Sequence, residues 1–296
     1  MKNIEKFYKY YNSIISIIGF SNVGKSFLFN KILNKKISIV NKKIQYTRKI
    51  IVYDFILNEK KILLIDNPGF IFKKKKYIYK IINQYIYESI NISNIILYVT
   101  INNKYYLNKD KFFFYFKKKI KKNIILIIFN KKKKIDNFYL KLFIKKNIIN
   151  INNINSFFKK KNNLLINRIN KLTKKKKILF NYKYNITYGL KFNICEIIRN
   201  NVYKIYKKEI PYSSEIIIEK FLNLKNKLII YCIIYLEKIS QKKILIGKNG
   251  KNINKLSLYS RKYIKKIYKK KIYIDFIIKI IKWKNNYKYL KFFGYF

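Results

Sequence analysis

The chain has 296 residues, 50% of them hydrophobic, and carries a formal net charge of +56 from 69 Lys and Arg against 13 Asp and Glu. This length and apolar content are enough for two domains with packed cores and exclude a disordered chain, while the charge favours a polyanionic partner such as nucleic acid. Lysine, isoleucine and asparagine abound everywhere and alanine is absent, so each lysine run alone is also consistent with an ordinary solvated loop.

Histidine is absent as well, which removes the Ser-His-Asp and Cys-His nucleophilic systems and the commonest metal ligand. Cys195 and Cys232 lie far apart among apolar residues and are expected to be buried, reduced thiols. No stretch has the uninterrupted apolar length of a membrane-spanning helix, and the N-terminus lacks the apolar core of a signal peptide. These features predict a soluble, cytoplasmic protein, which we expect to be a monomer.

The first 172 residues alternate strand-like and helix-like segments. Strand-like runs lie at 13–19, at 49–66 as two strands with a polar turn, at 94–100 and at 123–130, and helix-like stretches follow 19 and lie at 77–91, 109–121 and 137–146. Such alternation predicts an α/β domain with a mostly parallel sheet and helices on both faces.

A lysine-rich stretch at 174–188 is predicted to be a linker between a first domain, 1–173, and a second, 189–296. The second domain has a helix at 190–208, strand-like runs at 209–222 and 227–238, a helix at 252–269 and a strand at 272–281. This order predicts a small α+β fold, in which Trp283 is expected to be a packing residue.

The sequence "GFSNVGKS", residues 19 to 26, follows the first strand and opens a helix, as a phosphate-binding loop requires. Glycines let backbone N–H groups face phosphate oxygens, Lys25 would reach the β and γ phosphates, and Ser26 would bind Mg²⁺. An ordinary glycine turn before a helix is the structural alternative, but only seven glycines occur in the chain. The predicted nucleotide contacts in this loop are Gly19, Ser21, Asn22, Val23, Gly24, Lys25, Ser26 and Phe27.

Two further segments complete a candidate nucleotide site. "DNPG", residues 66 to 69, ends the third strand, where Asp66 would hold Mg²⁺ through water and the Gly69 N–H would sense the γ-phosphate. Thr47, in "QYTR", is a candidate Mg²⁺ ligand from the intervening loop. Ser26, Thr47 and Asp66 are therefore the predicted metal residues.

A second glycine pair, in "ILIGKNGKN", lies before the helix at 252–269. The pattern Gly-x-x-Gly in this setting is typical of the nucleic-acid loop of a KH module, which clamps about four nucleotides by their backbone. The bare Gly247 and Gly250 would admit the sugar-phosphate chain, and Lys248, Asn249 and Lys251 complete the predicted RNA-binding set.

Together these motifs resemble the Era family of GTPases, in which a P-loop GTPase domain precedes a type II KH domain; the likeness runs from about Ile14 to Tyr295. The resemblance implies GTP and GDP as ligands, Mg²⁺ as cofactor, and binding of small-subunit ribosomal RNA near its 3′ end on the 30S pre-ribosome. Members of the family can also associate peripherally with the inner membrane surface.

The family reads guanine with Asn-Lys-x-Asp, and here the match is incomplete. Asn130 and Lys131 fit, but Lys133 occupies the Asp position and the nearest carboxylate is Asp136. Either the loop is longer and Asp136 contacts guanine, or guanine selectivity is weakened. Ser156 is the candidate for a second guanine-contacting loop.

Catalysis is expected to depend on Asn22, Lys25 and Thr47. Phe70 stands where many GTPases have a water-orienting glutamine. In related GTPases with an apolar residue there, an asparagine matching Asn22 coordinates K⁺, so the resemblance implies slow hydrolysis that K⁺ stimulates. The alternative function is a non-catalytic RNA chaperone whose degenerate nucleotide site is only a scaffold.

Overall fold

The computed structural model describes residues 11–35, 38, 50–71, 77–117, 123–129, 137–142, 147–151, 164–174, 190–206 and 209–295. The chain divides into two compact units, one of Met1–Phe72 with Ile82–Thr187 and the other of Lys73–Ile81 with Tyr188–Phe296. The proposed linker lies almost wholly outside the described residues, so its boundaries stay a prediction.

The first unit is built from strands alternating with helices. In chain order these are β1 (Ser13–Ile18), α1 (Lys25–Leu33), β2 (Ile51–Leu57), β3 (Lys60–Asp66), α2 (Tyr77–Ile92, whose first five residues are counted with the second unit), β4 (Ile95–Ile101), α3 (Lys104–Lys117), β5 (Asn123–Phe129), α4 (Asn137–Leu142), β6 (Ile148–Ile151) and α5 (Leu164–Leu172). The predicted two-strand segment is confirmed: β2 and β3 pair antiparallel around a turn at Asn58 and Glu59, both of which have positive φ.

These strands form a six-stranded sheet in the order β2-β3-β1-β4-β5-β6. Every pair except β2 with β3 is parallel, which confirms the mostly parallel sheet. β1 is buried along its whole length, including Ser13 and Ser16, and the apolar residues of β5 are buried from Ile124 to Ile128, as expected of strands covered on both faces. In the register, Ile17 of β1 lies beside Asp66 of β3, so the phosphate-binding loop and the "DNPG" segment leave the sheet at one edge.

Three details of this unit differ from the sequence prediction, and one of them is helix α5, Leu164–Leu172, which was not predicted. Helix α3 begins at Lys104, five residues before the predicted start at 109, because Asn103 accepts a hydrogen bond from the Tyr106 N–H and so caps the helix. The four-residue strand β6 was missed, since a run this short among so many isoleucines carries no distinct periodicity.

The second unit has a small sheet with helices. Its elements are α6 (Leu190–Ile205), α7 (Ile210–Ser213), β7 (Glu215–Asn223), β8 (Lys227–Leu236), α8 (Ile239–Ile246), a 3₁₀ turn (Lys248–Gly250), α9 (Lys251–Tyr268), β9 (Lys271–Ile280), a second 3₁₀ turn (Trp283–Asn285) and α10 (Tyr287–Phe292). The sheet order is β7-β8-β9, with β7 antiparallel and β9 parallel to β8. The predicted α+β fold is therefore confirmed.

The core of the second unit is apolar and continuous. Inward residues of β8, such as Ile230 and Ile234, pack with Ile194 and Ile198 of α6 and Ile264 of α9. The strand predicted at 209–222 is instead a helical turn followed by a strand, because Pro211 lies in the first turn of α7 and Ser214 returns to extended geometry.

Trp283 lies in the core, as predicted: it is fully buried, donates from Nε1 to the Ser213 carbonyl at 3.0 Å and stacks on Tyr295.

Cys232 is buried and Cys195 half-buried, and burial raises the pKa of the Cys232 thiol well above its usual value. Within the described ranges, no helix is both long and apolar enough to cross a membrane.

Candidate functional site

The first candidate site begins with the loop between β1 and α1, residues 19 to 24. Asn22 and Gly24 adopt positive φ values of 65° and 99°, which turn the chain back on itself before α1. Gly19 has φ 146°, and a Cβ there would lie 2.2 Å from the backbone carbonyl oxygen of Val99. The loop can therefore close only because this position has no side chain.

The side chains of this loop differ in how far they are exposed to solvent. Val23 is buried at 1% exposure, while Asn22 is exposed on the outer side and Ser21, Ser26 and Phe27 are half-buried. The Leu28 N–H bonds to the Gly24 carbonyl at 2.9 Å, so α1 starts directly at the loop. The loop thereby places the N-terminus of α1, with its unpaired N–H groups and positive dipole end, at the edge of the sheet.

Lys25 is the first residue of α1 and its ammonium group is almost completely buried. Its Nζ donates to the Phe20 carbonyl at 2.8 Å, and only 5% of the residue is exposed. Burial lowers the pKa of Lys25 to about 8, although the Asp66 carboxylate acts in the opposite direction. A phosphate oxygen can therefore take the place of the Phe20 carbonyl as the hydrogen-bond acceptor of the buried Lys25 ammonium.

Asp66 ends β3 and faces Lys25 from the neighbouring strand. It is fully buried, and burial raises its pKa to about 6 against the lowering effect of hydrogen bonds from Ser26 and Ser38 and of the Lys25 charge. Its Oδ2 accepts the Ser38 hydroxyl at 2.9 Å, whereas Oδ1 has no hydrogen-bond partner among the described residues.

These oxygens fit the predicted metal. Mg²⁺ prefers hard oxygen ligands and keeps several of its waters, so a carboxylate oxygen left unpaired in a buried site is a suitable partner for a metal-bound water. Ser26 and Asp66 would hold the ion. The structure thus brings together two of the three predicted metal residues, while Thr47 lies outside the described residues.

The segment after β3 is joined to the phosphate-binding loop by its backbone. The Phe70 N–H donates to the Gly19 carbonyl at 3.3 Å, the two segments form a parallel bridge at Phe20 and Phe70, and these rings lie 5.8 Å apart. A Cβ at Gly69 would lie 2.4 Å from Ser21 Oγ. A γ-phosphate held by the loop would therefore be next to the segment that begins at Asp66.

Tyr106 of α3 is a contact that sequence reasoning missed. Its hydroxyl donates to the Ser21 carbonyl at 3.0 Å, and the Lys109 ammonium lies 5.7 Å from the centre of the Phe20 ring. Burial is the main cause that raises the pKa of Tyr106. The loop is thus held from a third element, but a tyrosine in a chain with 29 tyrosines gives no signal of this role.

The base-recognition half of the nucleotide site lies outside the described residues. It comprises the candidates Asn130, Lys131, Asp136 and Ser156. The described strand β5 ends at Phe129. The Phe129 ring lies beside the phosphate-binding loop, as a Cβ built on Gly24 would be 2.7 Å from it. The predicted guanine contacts stay predictions.

The second candidate site lies in the second unit, where the loop at 247–250 joins α8 to α9. Gly247, Asn249 and Gly250 all have positive φ, of 75°, 49° and 75°. The Gly247 N–H bonds to the Lys243 carbonyl at 2.9 Å and Asn252 Nδ2 donates to the Ile244 carbonyl at 3.1 Å. The loop therefore ends one helix and starts the next within four residues.

This loop is open to solvent. Lys248, Asn249 and Lys251 are exposed, and the atom nearest to a Cβ built on Gly250 is 3.6 Å away. Gly250 is the N-cap of the 18-residue helix α9, so this helix begins between the exposed Lys248 and Lys251. Bare backbone, a helix N-terminus and positive charge together suit a phosphate chain.

Comparisons with known proteins find matches to both units of the chain. Residues 14–131 match the family model described as 50S ribosome-binding GTPase, and residues 209–284 match the KH domain. The chain is 32% identical over 242 residues to GTPase Era of Borrelia garinii subsp. bavariensis, covering 80% of this chain and 83% of the relative. It is 28% identical over 263 residues to GTPase Era of Haemophilus ducreyi, covering 86% and 85%.

Two solved Era structures share the fold. One is Aquifex aeolicus Era bound to GDP·AlF₄⁻, and the other is Era in complex with MgGDPNP and nucleotides 1506–1542 of 16S ribosomal RNA. Each has a TM-score of 0.81 and 23% identity, and covers 96% of this chain and 98% of its own. With a GTPase unit and a KH unit in this order, and relatives that match along most of both chains, the protein belongs to the Era family of GTPases.

Proposed function

We propose that the protein binds GTP in the first unit, hydrolyses it to GDP and phosphate, and binds small-subunit ribosomal RNA through the KH unit as a ribosome assembly factor. The observation that carries the nucleotide half is the cluster of buried Lys25 and Asp66 with half-buried Ser26 at one edge of the sheet. These three residues occupy neighbouring elements and have the charges that a phosphate and its metal need.

Binding would use groups that are already in place. The Lys25 ammonium would exchange the Phe20 carbonyl for phosphate oxygens, while N–H groups of residues 21 to 26 surround them. Mg²⁺, when bound, neutralises charge that develops on the phosphates. The backbone bridge between Phe20 and Phe70 supports a direct connection from the phosphates to the segment after Asp66.

Hydrolysis would be slow and stimulated by K⁺. Phe70 has no group that could orient water, and the Asn22 side chain lies on the exposed outer side of the loop, where a monovalent cation could lie beside the phosphates. GTP turnover measured in K⁺ and in Na⁺ at equal ionic strength should be faster in K⁺. Equal rates in the two salts, with GTP bound normally, would reject the proposed role of Asn22.

The RNA half rests on the loop from Gly247 to Lys251. Its open backbone and exposed lysines support binding of a single strand by its phosphates. One solved Era structure contains nucleotides 1506–1542 of 16S ribosomal RNA, and by analogy we propose the 3′ end of the small-subunit RNA, on the 30S pre-ribosome, as the target. The protein would act as a cytoplasmic monomer, with reversible association at the inner membrane surface.

The variant Gly250→Asp tests this half. It places a carboxylate and a Cβ where phosphate would approach, so affinity for an RNA oligonucleotide with the 3′-end sequence should fall at least about tenfold, while GDP affinity stays unchanged. The matched control is Gly294→Asp, because Gly294 has nearly the same φ, 74° against 75° at Gly250, and nothing within 4 Å of its Cβ position. Equal RNA affinity of the two variants would remove the KH loop from the proposed function.

The alternative is a non-catalytic RNA chaperone, which Lys133 in the guanine-reading motif favours. Phosphate release from GTP and ATP, together with competition of GTP, ATP and XTP for the site, separates the two functions. Our proposal predicts release from GTP and a preference for GTP, with Asp136 in the role of the missing aspartate. Weak binding of all three nucleotides without phosphate release would support the chaperone.

A further inference from the structure

Ser38 is held by α1 in a way that sequence reasoning did not anticipate. The Ser38 N–H donates to Asn30 Oδ1 at 2.8 Å, and Asn30 Nδ2 donates back to the Ser38 carbonyl. The oxygen and the nitrogen of the Asn30 amide thus both bind the backbone of Ser38, and Ser38 is only 1% exposed. This clamp fixes Ser38 to the same helix that begins with Lys25 and Ser26.

The clamped residue points its hydroxyl at Asp66. Ser38 Oγ donates to Asp66 Oδ2 at 2.9 Å, and Ser26 also bonds to this carboxylate, while Asp66 Oδ1 has no hydrogen-bond partner in the described part of the chain. A carboxylate can rotate about its terminal bond, so a fixed donor to one oxygen decides where the other oxygen lies. The unpaired Oδ1 is therefore a defined acceptor in a fully buried site.

We propose that Ser38 is a positioning residue for the metal of the nucleotide site: through the Asn30 clamp, its hydroxyl binds one oxygen of Asp66 and presents the other to a metal-bound water. The inference rests on the proposed nucleotide function and names a residue that acts on Asp66, not on the nucleotide. Outer-shell donors of this kind commonly change metal affinity by tenfold or more when they are removed.

The test is the Mg²⁺ dependence of nucleotide release from the full chain. N-methylanthraniloyl-GDP is bound, and its release is followed at increasing Mg²⁺ concentrations and in EDTA. For Ser38→Ala, the Mg²⁺ concentration that half-maximally slows release should rise about tenfold, because a hydrogen bond to a charged group is lost. The release rate in EDTA should stay equal to that of the parent protein, because the proposed role exists only with metal present.

Three further variants make this result specific. Ser13→Ala is the matched control, because Ser13 is also a 1% exposed serine near the same sheet but its Oγ has no hydrogen-bond partner among the described residues; it should leave the Mg²⁺ dependence unchanged. Asn30→Ala should reproduce the effect of Ser38→Ala, and the double variant should be no worse than either, since both act through one contact.

The outcomes separate this inference from the function on which it rests. If the parent protein does not bind the labelled GDP, the proposed nucleotide function fails and takes the inference with it. If the parent binds and Ser38→Ala shows the same or a lower half-maximal Mg²⁺ concentration, the positioning role alone is overturned. Faster release of Ser38→Ala in EDTA, by the same factor as in Mg²⁺, would also overturn it, since the serine would then act on the loop and not on the metal.

Discussion

The two loops that would face phosphate are both built on glycine, yet their surroundings are opposite. In the nucleotide loop a Cβ at Gly19 would lie 2.2 Å from the Val99 carbonyl and one at Gly24 would lie 2.7 Å from the Phe129 ring. In the RNA loop a Cβ at Gly247 would lie 2.7 Å from the Asn252 side chain, not from backbone, and the nearest atom to a Cβ at Gly250 is 3.6 Å away. The first loop needs glycine because the fold surrounds it, and the second needs glycine at this position because of its backbone angles.

This difference in crowding matches the different ligands proposed for the two loops. A nucleotide site encloses a small molecule, so its charged groups Lys25 and Asp66 are buried and have shifted pKa values. A strand of RNA must enter from solvent along an open surface, so Lys248 and Lys251 are exposed. Changes in the first loop should therefore disturb folding and binding together, whereas changes in the second should disturb binding alone.

The largest expected effect is that of Gly19→Ala. Its methyl group would clash with backbone that cannot rotate away and would hold alanine at an unfavourable φ, so we expect a loss of about 3 kcal/mol or more in the stability of the first unit. Gly250→Ala meets only the backbone strain and should cost the second unit about 1 kcal/mol.

Trp283 is the only tryptophan of the chain and lies in the second unit, so its fluorescence follows unfolding of that unit, while far-UV circular dichroism follows both. Gly19→Ala should lower a dichroism transition and leave the Trp283 transition in place. Gly250→Ala should shift the Trp283 transition slightly. A smaller loss in Gly19→Ala than in Gly250→Ala would break the contrast between the loops.

A smaller effect is expected from pH. In the proposed site, nucleotide binding requires an ionised Asp66 and a protonated Lys25, whose pKa values in the free protein are about 6 and about 8. GDP affinity in Mg²⁺ should therefore be highest between these values, fall as the pH drops below 6 because Asp66 takes up a proton, and fall as the pH rises above 8 because Lys25 loses one. Each limb approaches about tenfold per pH unit.

The upper limb has an internal control. In Lys25→Arg the guanidinium stays charged, so affinity should no longer fall between pH 8 and pH 9.5, whatever its starting value. Labelled GDP titrations at fixed Mg²⁺ give both profiles. An upper limb that persists in Lys25→Arg would assign the titration to another group, and RNA binding by the second loop is not expected to follow either limb.

The smallest expected effects come from the side chains that support each loop. Tyr106→Phe removes one hydrogen bond to the Ser21 carbonyl and should weaken GDP binding by about fivefold, near 1 kcal/mol, without changing RNA binding. Asn252→Ala removes the bond to the Ile244 carbonyl and should do the converse. Titrations of both ligands against both variants check this, and a Tyr106→Phe protein with normal GDP affinity would show that the contact only packs.

The features that the sequence predicted best are those that depend on residue types rare in this chain. Gly19, Gly24, Gly69, Gly247 and Gly250 stand out in a chain almost without glycine, and they led directly to both loops and to the two-unit fold. The parallel sheet followed from apolar runs alternating with helical stretches, because that pattern is set locally along the chain.

Contacts between distant residues could not be predicted in the same way. Asp110 is fully buried and accepts hydrogen bonds from Tyr98, Thr100 and Tyr139, which ties α3 and α4 to β4. Ser38 contacts Asp66 across 28 positions. Tyrosine is too common in this chain to indicate a role, and even a scarce residue such as Asp110 does not indicate which hydroxyl groups it will meet, because only the folded sheet brings the partners together.

The most direct test of the account measures two ligands against two variants of the full chain. Lys25→Ala should lose at least about a hundredfold in GDP affinity, since a buried charge-assisted contact is removed, and keep its affinity for the 3′-end RNA oligonucleotide measured without nucleotide. Gly250→Asp should lose RNA affinity and keep GDP affinity. Normal GDP affinity in Lys25→Ala, or normal RNA affinity in Gly250→Asp, would contradict the claim that this protein grips phosphate at two separate glycine loops.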